Sequence, residues 1–452
     1  MQKPLVIAIF DIGKTNKKLF LFNEEYKIVF EESARFNETI DEDGDACENL
    51  ESLKSFVLES LQAVIEKNEF DIRAINFSTY GASFVYVNKD GVPIAPLYNY
   101  LKPYDEGLRN QFYDAYDGED EFSRITASPV LGNLNSGMQL YRMKYERPAL
   151  FAKIKYALHL PQYMSHIFSS KFYTDITSIG CHTNLWNYTT NEYHEWIYKE
   201  HVDHLLAPIK SITETVPPRI ANAKYDVGIG VHDSSAALIP YLFSFSEPFL
   251  LISSGTWCIS LNPFNHVPLT PDELKQDCLC YMQYTGRPVK ASRLFAGHEH
   301  GEEAVRIASY FNKDENFYRD IEYDAATVLS LKNRKNYLVD EFSSRDLSSF
   351  ENCEQAYHQL MIDIIEKQVV STNLVIGETG VKRIFVDGGF SNNHIYMNLL
   401  ANAYSDREVY AAMIPQASAM GAALAIHHAW NSKQIPNDII QLQFFRNQAS
   451  LK

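Results

Sequence analysis

The sequence predicts an α/β protein of two lobes with a cleft between them. Two observations support this prediction. One pattern, an apolar run followed by a small polar turn with glycine and a second apolar run, occurs once in each half of the chain. Strand and helix patterns also alternate in both halves, which is typical of α/β lobes. The chain has 452 residues, so each half is long enough to bury a core of its own.

The first pattern lies near the start of the chain. The apolar run Val6–Phe10 leads into the turn Asp11–Asn16, and the apolar run Leu19–Phe22 follows. This order is typical of a β-hairpin. A glycine lets the backbone approach a ligand, and the N–H groups and hydroxyls of such a turn can bind phosphate oxygens. The candidate phosphate ligands are Gly13, Lys14, Thr15, Asn16 and Lys17, although the lysines are also compatible with a solvated turn.

The second pattern repeats this arrangement in the middle of the chain. Phe249–Ile252 leads into the turn Ser253–Thr256, and Trp257–Leu261 follows. Here the candidate phosphate ligands are Gly255 and Thr256. Two such turns predict two related lobes that hold one phosphate chain from opposite sides, as in kinases with an actin-like ATPase fold.

Composition and charge exclude several kinds of partner. The formal net charge is −16, whereas nucleic acid or an anionic membrane requires a basic face. The sequence has no apolar stretch of about 18 residues, and Val6–Phe10 is too short for a signal peptide. The six cysteines lack the spacing of a disulfide framework. We therefore predict a cytoplasmic protein without a nucleic-acid or membrane partner.

Further elements are predicted after the first hairpin. A third strand is expected near Tyr26–Glu31, and Ala46–Lys67 places apolar residues on one helical face. Asp45 and Glu48 resemble a capping box for this helix. The next predicted strands are Ala74–Ser78 and Phe84–Val87. Residues 93–215 are predicted to be insertions that carry a substrate site.

The second half begins near Phe243. A helix is predicted around Glu354–Leu374, and the strand Arg383–Val386 leads into the segment Asp387–Asn393. The paired glycines of this segment, Gly388 and Gly389, let backbone lie against an adenine or a ribose. Ser418–Trp430 is an Ala-rich helix, whose small residues permit close helix packing or the approach of a flat ligand.

Two aspartates are candidates for chemistry. Asp11 stands where a strand meets a glycine turn, so it can hold Mg²⁺ beside phosphates, usually through water, or it is structural. Asp233 stands where a loop meets a helix, so it is either part of a helix cap, with Ser234 or Asp233 as the N-cap, or a general base. Phosphoryl transfer needs a carboxylate that accepts the proton of the attacking hydroxyl. His232 could hydrogen-bond a sugar hydroxyl.

Other polar clusters rank below these aspartates. Cys278 and Cys280 have no second pair with which to complete a zinc site. His298–His300 and the pairs His201/His204 and His427/His428 are interpreted as polar loops. The sequence contains neither the Gly-x4-Gly-Lys-Ser/Thr phosphate loop nor a Gly-x-Gly-x-x-Gly dinucleotide motif.

Taken together, the motifs resemble the FGGY carbohydrate kinases, and within them the rhamnulokinase and fuculokinase branch. The resemblance covers most of the chain, and Ser253–Trp257 is its most specific match. The matching segments are Asp11–Gly13, Phe77–Val85, Gly230–Asp233, Ser253–Trp257, Asp387–Asn392 and Met420–Ala423.

The resemblance implies two actin-like (ribonuclease H-like) ATPase lobes, residues 1–242 and 243–452. It implies transfer of the γ-phosphoryl group of ATP to a sugar hydroxyl with Mg²⁺, and L-rhamnulose and L-fuculose are the first candidates. A homodimer is compatible with it. Asp233 would be the general base and Asp11 the metal ligand. The implied nucleotide ligands are Asp11, Gly13, Lys14, Thr15, Asn16, Gly255, Thr256, Gly388, Gly389 and Asn392. The implied sugar ligands are Thr79, Tyr80, Gly81, His232 and Asp233.

The sequence also departs from the family pattern. Lys14 stands where small or hydroxyl residues are common, and Tyr98–Asp105 replaces the usual Trp-x-Asp-x-Arg stretch beside the sugar. We therefore expect a kinase whose sugar pocket has diverged. Two alternatives stay open: a non-catalytic actin-like ATP-binding scaffold or inactive kinase relative, and an acyl-phosphate or chaperone-type ATPase. Phe77–Val85 argues against the ATPase alternative.

Overall fold

Each of the two predicted hairpins lies at the centre of a β-sheet. They are seen in a computed structural model that describes residues 3–333 and 341–446. The strands are β1 Leu5–Ile12, β2 Lys17–Asn23, β3 Ile28–Ala34, β4 Thr39–Ile40, β5 Ala46–Cys47, β6 Asp71–Thr79, β7 Phe84–Val87, β8 Tyr156–His159, β9 Trp186–Asn187, β10 Glu192–Tyr193, β11 Thr215–Val216, β12 Asp226–Gly228, β13 Val231–His232, β14 Phe249–Ser254, β15 Cys258–Asn262, β16 Cys278–Met282, β17 Pro288–Leu294, β18 Arg383–Gly388, β19 Glu408–Met413 and β20 Gln441–Phe445.

Helices connect and cover the sheets. They are α1 Leu50–Lys67, α2 Glu106–Ala115, α3 Gly118–Thr126, α4 Ser136–Glu146, α5 Pro148–Phe151, α6 Leu160–Ser169, α7 Ile176–Ile179, α8 Trp196–Lys199, α9 Asp233–Ser244, α10 Pro271–Lys275, α11 Ala296–Phe311, α12 Ala325–Lys332, α13 Cys353–Ile376, α14 His394–Ala403, α15 Ala417–Ala425 and α16 His427–Trp430.

The two large sheets share one plan. The first has the order β11-β12-β6-β1-β2-β3, with β13 also beside β6, and the second has the order β16-β17-β15-β14-β18-β19-β20. In each sheet the hairpin is antiparallel and its first strand runs parallel to a later strand, β6 beside β1 and β18 beside β14. A further parallel strand follows in each, β12 or β19. The prediction of two α/β units built around related hairpins is confirmed.

The division of the chain at residues 242 and 243 stays a prediction. The first sheet takes its strands from residues up to His232 and the second takes its strands from Phe249 onward. Helix α9 lies between them in sequence. The predicted insertion at residues 93–215 contains helices α2–α8, which enclose an aromatic core that includes Phe112, Tyr141 and Trp196.

The capping predictions were wrong for α1 and α9. Asn49 is the N-cap of α1, and its side chain accepts a hydrogen bond from the amide of Ser52. The predicted capping residues have other partners, because Glu48 pairs with the buried ammonium of Lys17 at 2.7 Å and Asp45 pairs with Lys102 at 2.9 Å. The N-cap of α9 is His232 and not Asp233 or Ser234. At α1 the difference arises from partners that are distant in sequence, whereas at α9 the cap lies one residue before the predicted position.

Helices α9 and α15 lie between the two sheets. One continuous core joins residues of both sheets, such as Ile9 and Leu251, to both helices. The helices approach so closely that a Cβ on Gly421 would lie 1.8 Å from the carbonyl oxygen of Ala236. The predicted helix Ser418–Trp430 is thus largely present, but it is divided into α15 and α16 at Ile426. The small residues of α15 serve helix packing, the first of the two alternatives.

Candidate active site

The first sheet brings the candidate residues of the first half to one edge. Parallel register places Asp11 of β1 beside Ser78 of β6, and Ser78 beside Val231 of β13. The next step along the sheet aligns Ile12, Thr79 and His232 in the same way. Because parallel strands end at a common edge, Asp11 and Asp233 meet there, as ligand sites do in open α/β sheets.

Asp11 is held by a residue from the other end of the chain. The hydroxyl of Ser418 on α15 donates to its carboxylate, 3.1 Å from each oxygen. Burial and the negative charge of Asp233 raise the pKa of Asp11 to about 6. Two carboxylates that repel one another at the end of a strand form a pair of oxygen donors that a divalent cation would stabilise.

Asp233 opens helix α9 and remains accessible. Its carboxylate accepts a hydrogen bond from the amide of Ser234 at 2.6 Å, and 37% of the side chain is exposed. Burial raises its pKa to about 6. Among the described residues the carboxylate contacts no lysine or arginine; the nitrogen beside it is Nδ1 of His232 at 3.2 Å. An unpaired carboxylate with a raised pKa has the properties of a general base.

His232 is a neutral partner for this base. Burial lowers the pKa of His232 to about 4. Its Nδ1 accepts from the amide of Ser234 at 3.2 Å, which assigns the ring proton to Nε2. Its own amide donates to the hydroxyl of Thr177 at 3.1 Å. The ring is therefore fixed with Nε2–H as a donor.

Gly81 packs directly on the His232 ring. A Cβ at Gly81 would lie 2.1 Å from Cδ2 of His232. We expect Gly81→Ala to displace the ring and raise the KM for the acceptor by about tenfold, with ADP affinity unchanged. The measurement is steady-state kinetics with calorimetric ADP binding. In the double variant with His232→Ala the clash is gone, so Gly81→Ala should add little. Additive losses would contradict the packing argument.

Two of the predicted sugar ligands, Thr79 and Tyr80, have side chains that are engaged inside the protein. The Thr79 side chain is fully buried, and its hydroxyl donates to the carbonyl of Tyr80 at 2.7 Å. The Tyr80 ring is buried against Tyr100, with ring centroids 5.8 Å apart, and its hydroxyl faces Glu48 at 3.5 Å. Thr79 thus holds the strand end, whereas Gly81 and His232 are buried against each other beside the partly exposed carboxylate of Asp233.

The divergent stretch Tyr98–Asp105 is tied to an acidic segment. The buried ammonium of Lys102 pairs with Asp41 at 2.5 Å, Asp43 at 2.8 Å and Asp45 at 2.9 Å. Lys102 is thus committed to these three carboxylates. Tyr100, by contrast, lies close enough to Asp233 for the carboxylate charge, after burial, to raise its pKa.

The first turn, Asp11–Asn16, is closed by a hydrogen bond between its own backbone groups. The amide of Gly13 donates to the carbonyl of Asn16 at 2.9 Å, and the side chain of Asn16 accepts from Arg35 at 2.7 Å. The ammonium of Lys14 pairs with Glu38 at 2.7 Å. Thr15 is exposed at the tip. The Lys14 and Asn16 side chains are thus engaged by the protein, and Thr15 is the candidate side chain that faces solvent freely.

The second turn is built in the same way. The amide of Gly255 donates to the carbonyl of Trp257 at 2.8 Å, and Thr256 is exposed. The turn packs on the start of α11, where a Cβ on Gly297 would lie 1.8 Å from the carbonyl oxygen of Gly255. This leaves the Thr256 hydroxyl available to a ligand.

A cavity of about 590 Å³ lies beside the second turn, within the range of ligand pockets. Its lining includes Gly255, Gly297, His300, Tyr318, Gly389 and Asn392. A Cβ on Gly389 would meet no atom within 4 Å, so this glycine faces open space. Gly388 has a φ of +78°, and its Cβ would lie 1.8 Å from the carbonyl oxygen of Ser254. Strand packing explains why position 388 is a glycine, and its contact with the nucleotide stays a prediction.

Several residues of this region are not among the predicted site residues. His300 was interpreted as part of a polar loop, but it lies on helix α11, lines the cavity and is 2.8 Å from the hydroxyl of Tyr357. Asn393 donates to the same hydroxyl at 2.6 Å. The loop interpretation was also wrong for His427, a buried residue of α16 that hydrogen-bonds Tyr26 at 2.6 Å. No periodic signal marks these residues, since their partners are more than thirty positions away.

The donor set at the sheet edge suits Mg²⁺ only together with a ligand. Within residues 3–333 and 341–446, no group of three or more His, Cys, Asp or Glu side chains could hold a metal ion. Mg²⁺ commonly binds through one or two carboxylates and completes its shell with water and substrate phosphates. Asp11 supplies one such carboxylate at the sheet edge, which leaves Asp233 uncommitted.

Comparison with known proteins relates this geometry to a family. Residues 6–223 match the sequence model of the FGGY family of carbohydrate kinases, N-terminal domain. The chain is 25% identical to the rhamnulokinase of Mannheimia succiniciproducens over 272 residues, which are 56% of this chain and 53% of that one. It is 27% identical to the rhamnulokinase of Bacteroides thetaiotaomicron over 275 residues, 55% of this chain and 53% of that one. The matched part spans about half the length of each rhamnulokinase.

Solved structures show the same fold over nearly the whole length of the chain. A carbohydrate kinase from Novosphingobium aromaticivorans has a TM-score of 0.80 at 19% identity, with 99% of this chain and 95% of that chain covered. A ligand-bound xylulose kinase from Lactobacillus acidophilus has a TM-score of 0.80 at 15% identity, with 98% and 94% covered. The predicted fold of two actin-like ATPase lobes is confirmed. In the described part of the chain, no helix is both long and apolar enough to span a membrane.

Proposed function

We propose that this protein is an ATP-dependent sugar kinase with Asp233 as its general base. The observation that carries the proposal is the pair of carboxylates, Asp11 and Asp233, at the edge of the first sheet. The carboxylate of Asp233 is accessible and unpaired, and its pKa is raised to about 6. The match of residues 6–223 to a family of carbohydrate kinases and the similarity to two rhamnulokinases support the same activity.

The two halves of the site belong to different sheets that meet at α9. The first turn of α9 contacts the second sheet, because the hydroxyl of Ser235 donates to the carbonyl of Met282 on β16 at 2.8 Å. The cavity beside Gly255 and Gly389 suits the nucleoside part of ATP. The Thr256 and Thr15 hydroxyls would then contact phosphates from the two turns.

The reaction transfers one phosphoryl group. The oxygen of the sugar hydroxyl forms a bond to the γ-phosphorus of ATP, and the bond between that phosphorus and the β,γ-bridging oxygen breaks. ADP leaves with the bridging oxygen, and the hydroxyl proton passes to Asp233. His232 offers Nε2–H to a sugar oxygen. Mg²⁺, held by Asp11 with the phosphates, would neutralise phosphate charge.

L-rhamnulose and L-fuculose are the first sugars to test, since the sequence resembles the rhamnulokinase and fuculokinase branch. A wider panel is needed because Tyr98–Asp105 has diverged. We expect ADP release that depends on one member of a panel of ketoses, aldoses and polyols, measured in a coupled assay with MgATP. Phosphorylated product should appear in equal amount. Sugar-independent ATP hydrolysis, or nucleotide binding without turnover on any panel member, would favour an ATPase or a non-catalytic scaffold instead.

A further inference from the structure

Arg293 extends a sheet face that otherwise packs between the lobes. On this face Ala291 of β17 stands between Leu261 of β15 and Leu279 of β16, and all three belong to the core shared with α9. Because side chains alternate along a strand, Arg293 lies on the same face two residues further on, beside Ile259. Arg293 is therefore the charged end of an apolar face that packs towards α9.

The guanidinium of Arg293 is held in a fixed orientation beside the second turn. Its Nε lies 3.1 Å and 3.2 Å from the two carboxylate oxygens of Asp277, and Nη2 lies 2.5 Å from one of them. Its central carbon is 5.3 Å from the ring centroid of Trp257, the residue after Thr256. Among the described residues, Nη1 has no hydrogen-bond partner. A planar fork held on one side by a carboxylate therefore has a free N–H edge.

Arg293 lies near the residues of the acceptor side of the site. Tyr281, on the same sheet face, has its ring centroid 6.0 Å from that of His182 and 6.2 Å from that of His232. Burial and the charge of Arg293 together lower the pKa of His182 to about 3. Burial raises the pKa of the Cys181 thiol; the charge of Asp233 raises it further, and the charge of Arg293 lowers it. Arg293 thus lies between the second phosphate turn and the residues around Asp233.

The lysines of the first turn are neutralised by carboxylates. Lys14 pairs with Glu38 at 2.7 Å, Lys17 pairs with Glu48 at 2.7 Å in a buried contact, and Lys18 pairs with Glu31 at 3.0 Å. Phosphoryl transfer requires positive charge or donors placed where charge develops on the moving group. Arg293 is a better placed donor for this purpose because part of its guanidinium remains uncommitted.

We infer that Arg293 is a catalytic residue that binds the γ-phosphoryl group through its free guanidinium edge during transfer to the sugar. This inference rests on the proposed kinase function. Asp277 is then a positioning residue, since it orients the guanidinium without touching substrate. Trp257 supports the cation from one side through its ring face.

The test compares Arg293→Ala, Arg293→Lys and the matched control Arg287→Ala with the wild type. Arg287 is an exposed arginine at the start of the same strand region. We expect Arg293→Ala to lower kcat by about 10²–10³-fold, as the loss of a transition-state donor does. Its affinity for a non-hydrolysable ATP analogue with Mg²⁺ should fall about tenfold, with ADP affinity unchanged. Added guanidinium should partly restore kcat, Arg293→Lys should be intermediate, and Arg287→Ala should resemble the wild type.

A structural role for Arg293 predicts another outcome. If Arg293→Ala weakens ADP and the ATP analogue equally and guanidinium does not restore turnover, the inference is overturned, and so it is if kcat stays near the wild-type value. These results leave the kinase proposal intact, because the wild type is still active. If the wild type binds MgATP but phosphorylates no sugar, the proposed function fails and the role of Arg293 fails with it.

Discussion

Asp233→Asn should lower kcat for sugar phosphorylation by about 10²–10⁴-fold, the range for loss of a general base. The reason is that the carboxylate is the unpaired proton acceptor at the sheet edge, with 37% of its side chain exposed. ADP affinity should change by no more than about twofold, since the cavity beside Gly389 is lined by other residues. Coupled-assay kinetics and calorimetric ADP binding measure the two quantities.

Asparagine is the right replacement because its side-chain oxygen can still accept from the amide of Ser234. A matched control is Asp324→Asn, which changes an exposed aspartate that accepts from the amides of Ala326 and Thr327 at the start of α12. That variant should keep wild-type kcat. Retention of more than about a third of kcat in Asp233→Asn would remove Asp233 from the role of base.

The pH profile of the wild type offers a second readout of the same assignment. Burial raises the pKa of Asp233 to about 6, so the base is protonated and inactive at lower pH. We expect kcat/KM to fall below about pH 6, with a slope near one per pH unit. The charge of Asp233 also raises the pKa of Asp11, so the two carboxyl groups titrate together. The fall of kcat/KM at acidic pH therefore reports an apparent pKa of the pair rather than of either carboxyl alone.

Gly421→Val should destabilise the fold more than any substitution at the cavity. A Cβ on Gly421 would lie 1.8 Å from the carbonyl oxygen of Ala236, and a backbone atom cannot move aside unless the helices separate. The cost of overpacking is typically about 1–3 kcal/mol, and we expect the upper end or more here. Chemical denaturation or thermal melting measures the loss.

Gly301→Ala is the control, and we expect it to change the stability of the fold in the opposite direction. Gly301 lies within helix α11, and a Cβ there would meet no atom within 4 Å. Alanine is favoured over glycine in a helix by about 0.8–1.0 kcal/mol, so this variant should be slightly more stable than the wild type. If Gly421→Val were as stable as Gly301→Ala, the close contact between α9 and α15 would be wrong.

The Gly421 contact also bears on the chemistry. Helix α9 begins at Asp233, and α15 carries Ser418, whose hydroxyl donates to Asp11. If a folded variant separates the two helices, Asp233 and Ser418 should therefore be displaced, and Asp11 should lose the hydrogen bond from Ser418. We expect loss of turnover to accompany loss of stability at this position, whereas at Gly81 the effect is confined to the acceptor side.

Local patterns predicted much of this fold. Both hairpins, the parallel strand that leads into Gly388, and the helix that begins at Asp233 follow from apolar runs, turn residues and helical periodicity. The same patterns predicted the wrong N-cap for α1 and wrongly predicted a loop at His300. In both cases the deciding contact is distant in sequence, between Glu48 and Lys17 for the cap and between His300 and Tyr357 for the histidine.

The sequence by itself determined that two related glycine turns and an aspartate at a strand-to-helix junction exist, because strand pairing and helical periodicity depend on neighbours along the chain. Tertiary structure alone decided which of these groups are free to act. It neutralises Lys14 with Glu38, turns Gly389 towards open space, and brings Ser418 to Asp11 across 407 positions. Charge pairing and close packing depend on distance in space, which no local pattern records.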